Sequence, residues 1–493
     1  MPEAMNGRSW WSQAELAVAR RTAEAAVDAA VSYLMPDPAG RLDRILDTVE
    51  RFVRDPGVRE QFLAFRRRVS GDPAIAERAR QLLTNRTMVK RIVTNWAIHQ
   101  LLFAPSQRRA AEQRHGVHVP VFLLIDPTSG CNLRCKGCWA GGYARGPFIP
   151  RERFDLLLRE AKELGIYWFV LSGGEPFAYK PLLDVVAEHT DASFMVYTNG
   201  TLITDRVADR LAELGNLSPA ISLEGWREET DDRRGPGVFD RVMAAMDRLR
   251  ERGVLFGASI TVTRRNVEEV FSDDFISFLI EKGVVYLWSF HYVPVGPDAD
   301  LDLMLRPEQR AWLVRRVNEL RRTRPILIAD FWNDGHFTQG CIAGARTYLH
   351  ITPSGEAEPC AFVHFATHNI RESSLLEILR SPLFAAYQRR IPFSPNHYAP
   401  CPIIDNPAAL RAMVAESGAH PTHPGAEDVL VGERARFLDE LSSRWHAAAD
   451  VLEAEDAQER GYAAREPWKE AREEATRQAA APALHDPRSG RRR

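Results

Sequence analysis

Three cysteines stand within eight residues, Cys131-Asn132-Leu133-Arg134-Cys135-Lys136-Gly137-Cys138. Thiolates at this spacing can fold around one corner of an iron–sulfur cube, and three of them leave one iron of a four-iron cluster without a protein ligand. An open iron can take a substrate or cofactor directly, whereas a cluster fully ligated by protein mainly passes electrons. Structural zinc wants four ligands, usually from paired C-x-x-C elements, and the loop offers no fourth Cys or His close by. The remaining cysteines, Cys341, Cys360 and Cys401, form a second group of three and suggest a second metal centre. Zinc stays open there, because three cysteines with one His or Asp make a workable zinc site.

The elements that must position these loops follow from periodicity. Strand-like runs at 119–125, 166–172, 193–199, 219–225, 254–262 and 284–293 alternate with helical stretches such as 151–165, 203–215 and 239–253. Such alternation predicts an α/β fold with a parallel sheet and crossover helices. Barrel-type members of that class carry their chemistry in the loops after the strands, and the first cysteine group directly follows the first run. Residues 1–117 read as a helical extension: Leu42, Ile45, Leu46, Val49, Phe52 and Val53 recur at helical spacing, and a second helix is expected over 86–103 with Trp96 on its apolar side. Beyond residue 324 a hairpin is expected to turn at Pro353-Ser354-Gly355, followed by helix. Residues 426–480 read as charged helix, and the tail HDPRSGRRR reads as disordered. The expected division is therefore 1–117, 118–324, 325–425 and 426–493.

With 64 basic against 66 acidic residues, nothing points to bulk nucleic-acid binding. The start lacks a signal-peptide pattern, and apolar runs fall short of the ~20 residues that span a bilayer. A soluble cytoplasmic protein is expected, in which clustered thiols hold metal rather than disulfides. Arg66-Arg67-Arg68 beside apolar helix faces would suit anionic headgroups and peripheral membrane contact. A solvated helix face is the plainer reading of such a run.

The Cys131 loop resembles the signature of the radical S-adenosylmethionine (radical SAM) superfamily, and the resemblance extends over roughly residues 118–295. It implies a partial (β/α)6 barrel in which Cys131, Cys135 and Cys138 hold a 4Fe–4S cluster and S-adenosylmethionine (SAM) chelates the fourth iron. Reductive cleavage of SAM to a 5′-deoxyadenosyl radical would then take hydrogen from a substrate. Ser172-Gly173-Gly174-Glu175-Pro176 looks like the family's GGE motif, with Gly173, Gly174 and Glu175 as SAM contacts, and Asn199 lies in a TNG element. Ser222-Leu223-Glu224-Gly225 resembles the ribose-contacting S-x-D-G element with Glu224 in place of Asp. Arg233 or Arg234, the latter the better positional match, would clamp the SAM carboxylate. The segments Gly257–Ile260 and Tyr292–Gly296, with Pro294, would flank adenine. Many relatives have an aromatic residue before the third cysteine, where this chain has Gly137, and Trp139 is expected to offer the stacking surface instead.

Cys341, Gly355 and Cys360 resemble the opening of the auxiliary-cluster extension called SPASM, or its shorter form Twitch. Cys401 follows in CPIIDNP, with Ile404 where a full SPASM domain has its next cysteine. The resemblance implies a second 4Fe–4S cluster on Cys341, Cys360 and Cys401, whose fourth iron takes a protein group, water or substrate. Asp405, His397 and His364 are nearby in sequence. The segment Asp330–His336 could meet substrate or form a capped turn around a packed Trp332. A low-potential donor of the flavodoxin or ferredoxin type is implied. The substrate is a peptide, a lipid or isoprenoid chain, or a polar small molecule, and the absence of strand alternation before Val117 weighs against a peptide leader. The competing function is a non-catalytic iron–sulfur sensor or scaffold, which would not cleave SAM.

Overall fold

The computed structural model describes residues 84–143, 146–296 and 298–459, together with 22, 25–33, 41, 44, 47 and 50. Nine strands are found in one sheet: β1 Phe122–Ile125, β2 Trp168–Leu171, β3 Ser193–Thr198, β4 Leu217–Ser222, β5 Gly257–Val262, β6 Tyr286–His291, β7 Leu327–Asp330, β8 Tyr348–Ile351 and β9 Ala357–Glu358. Their order is β7-β6-β5-β4-β3-β2-β1-β8-β9, with every neighbouring pair from β7 to β8 parallel. The six runs expected from the sequence are β1–β6. The sheet stays open, and the α/β partial-barrel class holds. The hairpin expected around Pro353 is β8–β9, paired antiparallel with Ile351 opposite Ala357. Less expected is its place: β8 runs parallel to β1, with Leu123 opposite Leu349.

Both faces of this sheet are covered, and β1 and β2 are apolar throughout rather than alternating with polar residues. Leu123 and Ile125 on β1 pack outward with Leu157, Leu158, Leu182 and Leu211 of the surrounding helices. The intervening Phe122 and Leu124 point inward and cluster with Val170, Met195, Trp332 and Tyr348. That inner cluster continues without a break into Cys360, Cys401, Tyr387 and Ile404. The barrel interior and the core around the second cysteine group are one apolar body.

Local signals place the crossover helices. Arg151–Glu163 buries Phe154, Leu157, Leu158 and Ala161, one face of a helix at spacings of three and four. Asp205–Leu214 starts at Thr204, whose hydroxyl accepts the Val207 N–H, and stops at Gly215 in the left-handed region (φ 67°).

The helix expected over 86–103 begins on time but runs on to residue 115: α-helix Arg86–Ile92, π-helix Val93–Phe103, then α-helix Ala104–His115. It covers the end of the barrel opposite the cysteine loops. Asn85 Nδ2 donates to Ala212 O and Arg252 O, and Asn95 Nδ2 to Thr190 O and Ala192 O, all of them where the chain turns back into the sheet. Trp96, expected on the helix's apolar side, is 36% exposed, its ring 4.8 Å from that of Trp168. The apolar positions expected over 42–53, Arg66–Arg68 and the tail after residue 459 lie outside the described residues. Gly432–Glu459 is helix and packs on Pro307–Thr323, with Arg310 stacked 3.9 Å over the Trp445 ring. Among the described residues no helix is long and apolar enough to cross a membrane.

Candidate active site

The first cysteine loop leaves the C-terminal end of β1 and is held by the loop that leaves β2. Gly174 N–H donates to Thr128 O (3.0 Å) and Glu175 N–H to Gly130 O (2.8 Å). A Cβ on Gly174 would stand 2.3 Å from Gly130 O, and Gly173 sits at φ +105°. Both positions require glycine, the first for close backbone approach and the second for its dihedral. The Glu175 carboxylate accepts from Phe177 N–H (3.1 Å), Thr198 Oγ1 (2.8 Å) and Asn199 N–H (2.8 Å). Burial pushes this carboxyl up, and the three donors oppose that shift. Unlike Gly173 and Gly174, Glu175 lines neither cavity at the cysteine loop. It ties the loop after β2 to the loop after β3. Asn199 then reaches the cysteine loop itself, donating to Asn132 Oδ1 (2.9 Å), while Asn132 donates to Thr201 Oγ1 (2.8 Å).

From the other side the helix Arg227–Arg234 leans on the same loop. Lys136 N–H donates to Arg233 O (2.9 Å), and Arg234 Nη1 lies 4.0 Å from Cys135 Sγ. Glu224, 1% exposed, gathers both guanidinium groups on its Oε1: Arg233 Nη1 at 2.5 Å, Arg234 Nε at 2.9 Å and Arg234 Nη2 at 2.5 Å. Its Oε2 is buried without a partner. An orphaned carboxylate oxygen at this depth is costly unless a ligand hydroxyl or ammonium meets it. Ser222 lines the inner cavity beside Arg233 and Arg234.

The glycine before the third cysteine has a structural reason. Gly137 has φ +61°, and a Cβ there would meet the Tyr292 ring at 2.8 Å. The aromatic ring beside the cysteine loop therefore comes from the end of β6. Trp139 lines the same cavity but packs against Tyr143, His350 and Phe362. Pro294 lines no described cavity, whereas Tyr292 and Val293 do. Sequence reasoning had this segment as backbone only; the signal it passed over is the phenol two residues upstream of Pro294.

Cys131, Cys135 and Cys138 stand between two cavities. The outer one, ≈ 950 Å³, is the more polar of the two, with Glu224, Asp232, Arg265, Asn266 and Asp300 in its wall. The inner one, ≈ 170 Å³, lies inside the barrel and is largely aromatic, lined by Phe122, Trp168, Tyr197, Trp288, Phe290 and Phe331 among others. The orphaned Glu224 oxygen and the glycine-lined approach fit a ligand rich in amine, carboxylate and hydroxyl groups, as SAM is.

Cys341, Cys360 and Cys401 surround a third cavity of ≈ 230 Å³. That is several times the roughly 30 Å³ share of one water molecule. Among the described residues no three His, Cys, Asp or Glu side chains converge on a single metal ion. The donor set suits a polynuclear cluster better than zinc. Burial pushes the Cys360 thiol up to about 11 and Cys401 up to about 12, so thiolates here need a metal's charge. Tyr348 Oη donates to Cys360 Sγ at 3.0 Å. Asp405, His397 and His364 do not line this cavity. Asp405 accepts the Cys401 N–H (3.0 Å) and is held by Arg310 (2.5 Å), and His364 Nε2 lies 3.0 Å from Ala361 O. In the segment Asp330–His336, Trp332 is packed, 2% exposed and stacked on His291, while Phe331 lines the inner cavity.

Beside Trp139 and below the loop, Asp126, His350 and Glu358 are fully buried. His350 Nε2 is 3.0 Å from Asp126 and its Nδ1 is 2.7 Å from Glu358. Burial alone would lower His350, but the two carboxylates raise it to about 10. Burial likewise opposes ionisation of Glu358, yet His350 and His423 bring it down to about 2.

Comparison with known proteins agrees with this geometry. Residues 125–272 match the radical SAM superfamily, and residues 341–402 match the SPASM iron–sulfur cluster-binding domain. The AdoMet-dependent heme synthase of Methanosarcina barkeri is 26% identical over 53% of this chain and 82% of its own length. The mycofactocin maturase MftC of Mycolicibacterium smegmatis is 28% identical, covering 52% of this chain and 68% of its own. Among solved structures, Streptococcus suis SuiB bound to its precursor peptide SuiA aligns with a TM-score of 0.50 at 20% identity, over 57% of this chain and 70% of SuiB.

Proposed function

Because this chain belongs to the radical SAM superfamily and carries an SPASM-type cluster domain, we propose that it takes hydrogen from an apolar substrate seated in the aromatic cavity of its barrel. A cluster on Cys131, Cys135 and Cys138 with SAM bound supplies a 5′-deoxyadenosyl radical by reductive C–S cleavage. The chain's own part is placement. Gly173 and Gly174 admit the ligand to the backbone, and Glu224 Oε2 accepts a ribose hydroxyl. Arg233 and Arg234, oriented by Glu224 Oε1, face the carboxylate of SAM. SAM lies along the cysteine loop between the two cavities, meeting Glu224 in the outer one and Ser222 and Arg234 in the inner one, while the aromatic remainder of the inner cavity takes the substrate and excludes water around the radical. The proposed working parts are the barrel over 118–324 and the cluster-bearing region over 325–425, with helical flanks 1–117 and 426–493.

The observation that carries the substrate reading is the aromatic part of the inner cavity wall, Phe122, Trp168, Trp288, Phe290 and Phe331, which offers no hydrogen-bond partner beyond the Trp indoles, whereas Asn199, Ser222, Arg233 and Arg234 line the same cavity beside the cysteines. A polar small molecule would lose its hydrogen bonds to water there. A low-potential flavodoxin or ferredoxin supplies the electron, and the setting is cytoplasmic. Anaerobic turnover with deuterated candidates tests the assignment. Deuterium should enter 5′-deoxyadenosine from a prenyl or acyl chain or a flat hydrophobic ring. Enrichment from a precursor peptide instead would reassign the substrate. SAM left uncleaved by the reduced, reconstituted protein would favour the sensor reading.

A further inference from the structure

Three cysteines leave one iron of the second cluster to be completed, and Asp405, His397 and His364, the side chains expected for that place, do not line its cavity. The wall of the cavity between Cys341, Cys360 and Cys401 carries three other oxygen-bearing side chains: Asp334, Thr338 and Tyr387. Asp334 Oδ2 accepts from Arg321 Nη2 (2.7 Å) and from Asp330 N–H (2.9 Å). Thr338 Oγ1 donates to Gly340 O at 2.8 Å. Tyr387 Oη is fully buried and has no partner.

A buried phenol left unsatisfied is costly, so a native one signals a missing group. The ring is also held in place. Gly344, at φ +66°, lies against it so closely that a Cβ would come within 2.4 Å of Tyr387 Cδ1. Phe393 meets the ring edge-on with centroids 5.3 Å apart. Gly344 N–H bonds Pro359 O (2.9 Å), which fixes that glycine next to Cys360. The titratable neighbours of the phenol are the three thiols themselves.

We propose that Tyr387 Oη is the fourth protein ligand of the second cluster. This rests on the reading that Cys341, Cys360 and Cys401 hold a four-iron cluster. The Fe–O bond forms as the phenol O–H breaks and its proton passes to solvent, with no change in oxidation state; metal binding releases protons from its ligands in this way. The cluster is then closed to substrate, and its work is electron transfer rather than substrate coordination.

The test uses the full chain with Cys131, Cys135 and Cys138 replaced by Ala, so that only the second site can hold iron. Tyr387→Phe is added to one of two parallel preparations. Tyrosinate-to-iron charge transfer, with its phenolate modes in the resonance Raman spectrum, should be present with Tyr387 and lost in Tyr387→Phe at unchanged iron content. The Tyr387→Phe cluster should also bind added cyanide, with a changed EPR signal, where the parent does not. A four-iron cluster with no phenolate modes, or one that binds cyanide with Tyr387 in place, overturns the assignment of Tyr387 alone. Absence of iron, or zinc in its place, overturns the three-cysteine cluster and the ligand together.

Discussion

Tyr348 Oη donates a hydrogen bond to Cys360 Sγ across 3.0 Å while its ring stacks on Phe122, 5.0 Å away and 1° from parallel. One side chain thus lines the inner cavity with its ring and touches a thiol of the second group with its hydroxyl. Hydrogen bonds to cluster sulfurs raise the reduction potential, because they stabilise the more negative reduced state. Tyr348→Phe should keep iron at the second site and lower its potential by on the order of tens of millivolts. A bond of about 1 kcal/mol corresponds to roughly 40 mV for a one-electron couple. Protein-film voltammetry or an EPR-monitored titration reads the shift, and an unchanged potential counts against the contact.

Replacing Cys131, Cys135 and Cys138 together by Ala should abolish 5′-deoxyadenosine formation and leave iron at the second site. The two groups lie in different cavities, so their metal contents should separate cleanly. Product analysis and iron counting check both halves, and a triple variant that still cleaves SAM would refute the division of labour.

Gly174→Ala is predicted to cost at least ~10²-fold in SAM cleavage, the scale for an ångström of misplacement at a reacting centre. Its methyl group would run into Gly130 O, a backbone atom next to Cys131 that cannot rotate away. Far-UV circular dichroism should stay close to wild type, which separates a shifted loop from a failed fold.

Arg310 and Asp405 form a buried ion pair, 6% and 0% exposed, that also fixes the Cys401 N–H. Breaking such a pair from one side leaves an uncompensated charge and costs about 3–5 kcal/mol. Arg310→Met should therefore lower the denaturation midpoint and the iron retained at the second site, whereas Arg315→Met on the exposed Glu455 pair should change little. Denaturant melts with iron counts compare the two.

The buried Asp126–His350–Glu358 cluster, with Tyr143, His364 and His423 facing it, sets a pH window. His350 is raised from 6.5 to about 10, so its contribution is complete below about pH 6.5 and is lost as pH climbs towards 10. Glu358 is lowered from 4.5 to about 2, so its contribution is complete above pH 4.5 and is lost as pH falls towards 2. Thermal melts should decline on both sides of pH 4.5–6.5, and His350→Gln should flatten the alkaline limb. An alkaline limb identical in the variant would remove His350 as its cause.

What the sequence made legible was local. Strands β1–β6, the hairpin β8–β9 and the glycines of the loop after β2 each carry their signal within a few neighbouring residues. The place of β8 beside β1 depends on a pairing across more than two hundred residues, which periodicity does not encode. For the same reason Tyr292 over Gly137 was invisible: the ring that fills the glycine's space comes from a strand end far along the chain. Glu175, expected as a SAM contact, accepts from Phe177 nearby and from Thr198 and Asn199 more than twenty residues on, which tie it to the loop after β3. Asp405 was read for its nearness to Cys401, without the arginine that holds it.

The pairing of β8 with β1 also means that the chain cannot be cut where its sequence changes character. Shortened at residue 324, it would lose β7 from one side of the sheet and β8 from the other, baring the backbone of Phe122–Ile125 just ahead of the first cysteines. A bare apolar edge invites association with other chains. The two cysteine groups have their spacing set by one ladder of backbone hydrogen bonds, so electrons passing between them would cross a distance that hinge motion does not vary.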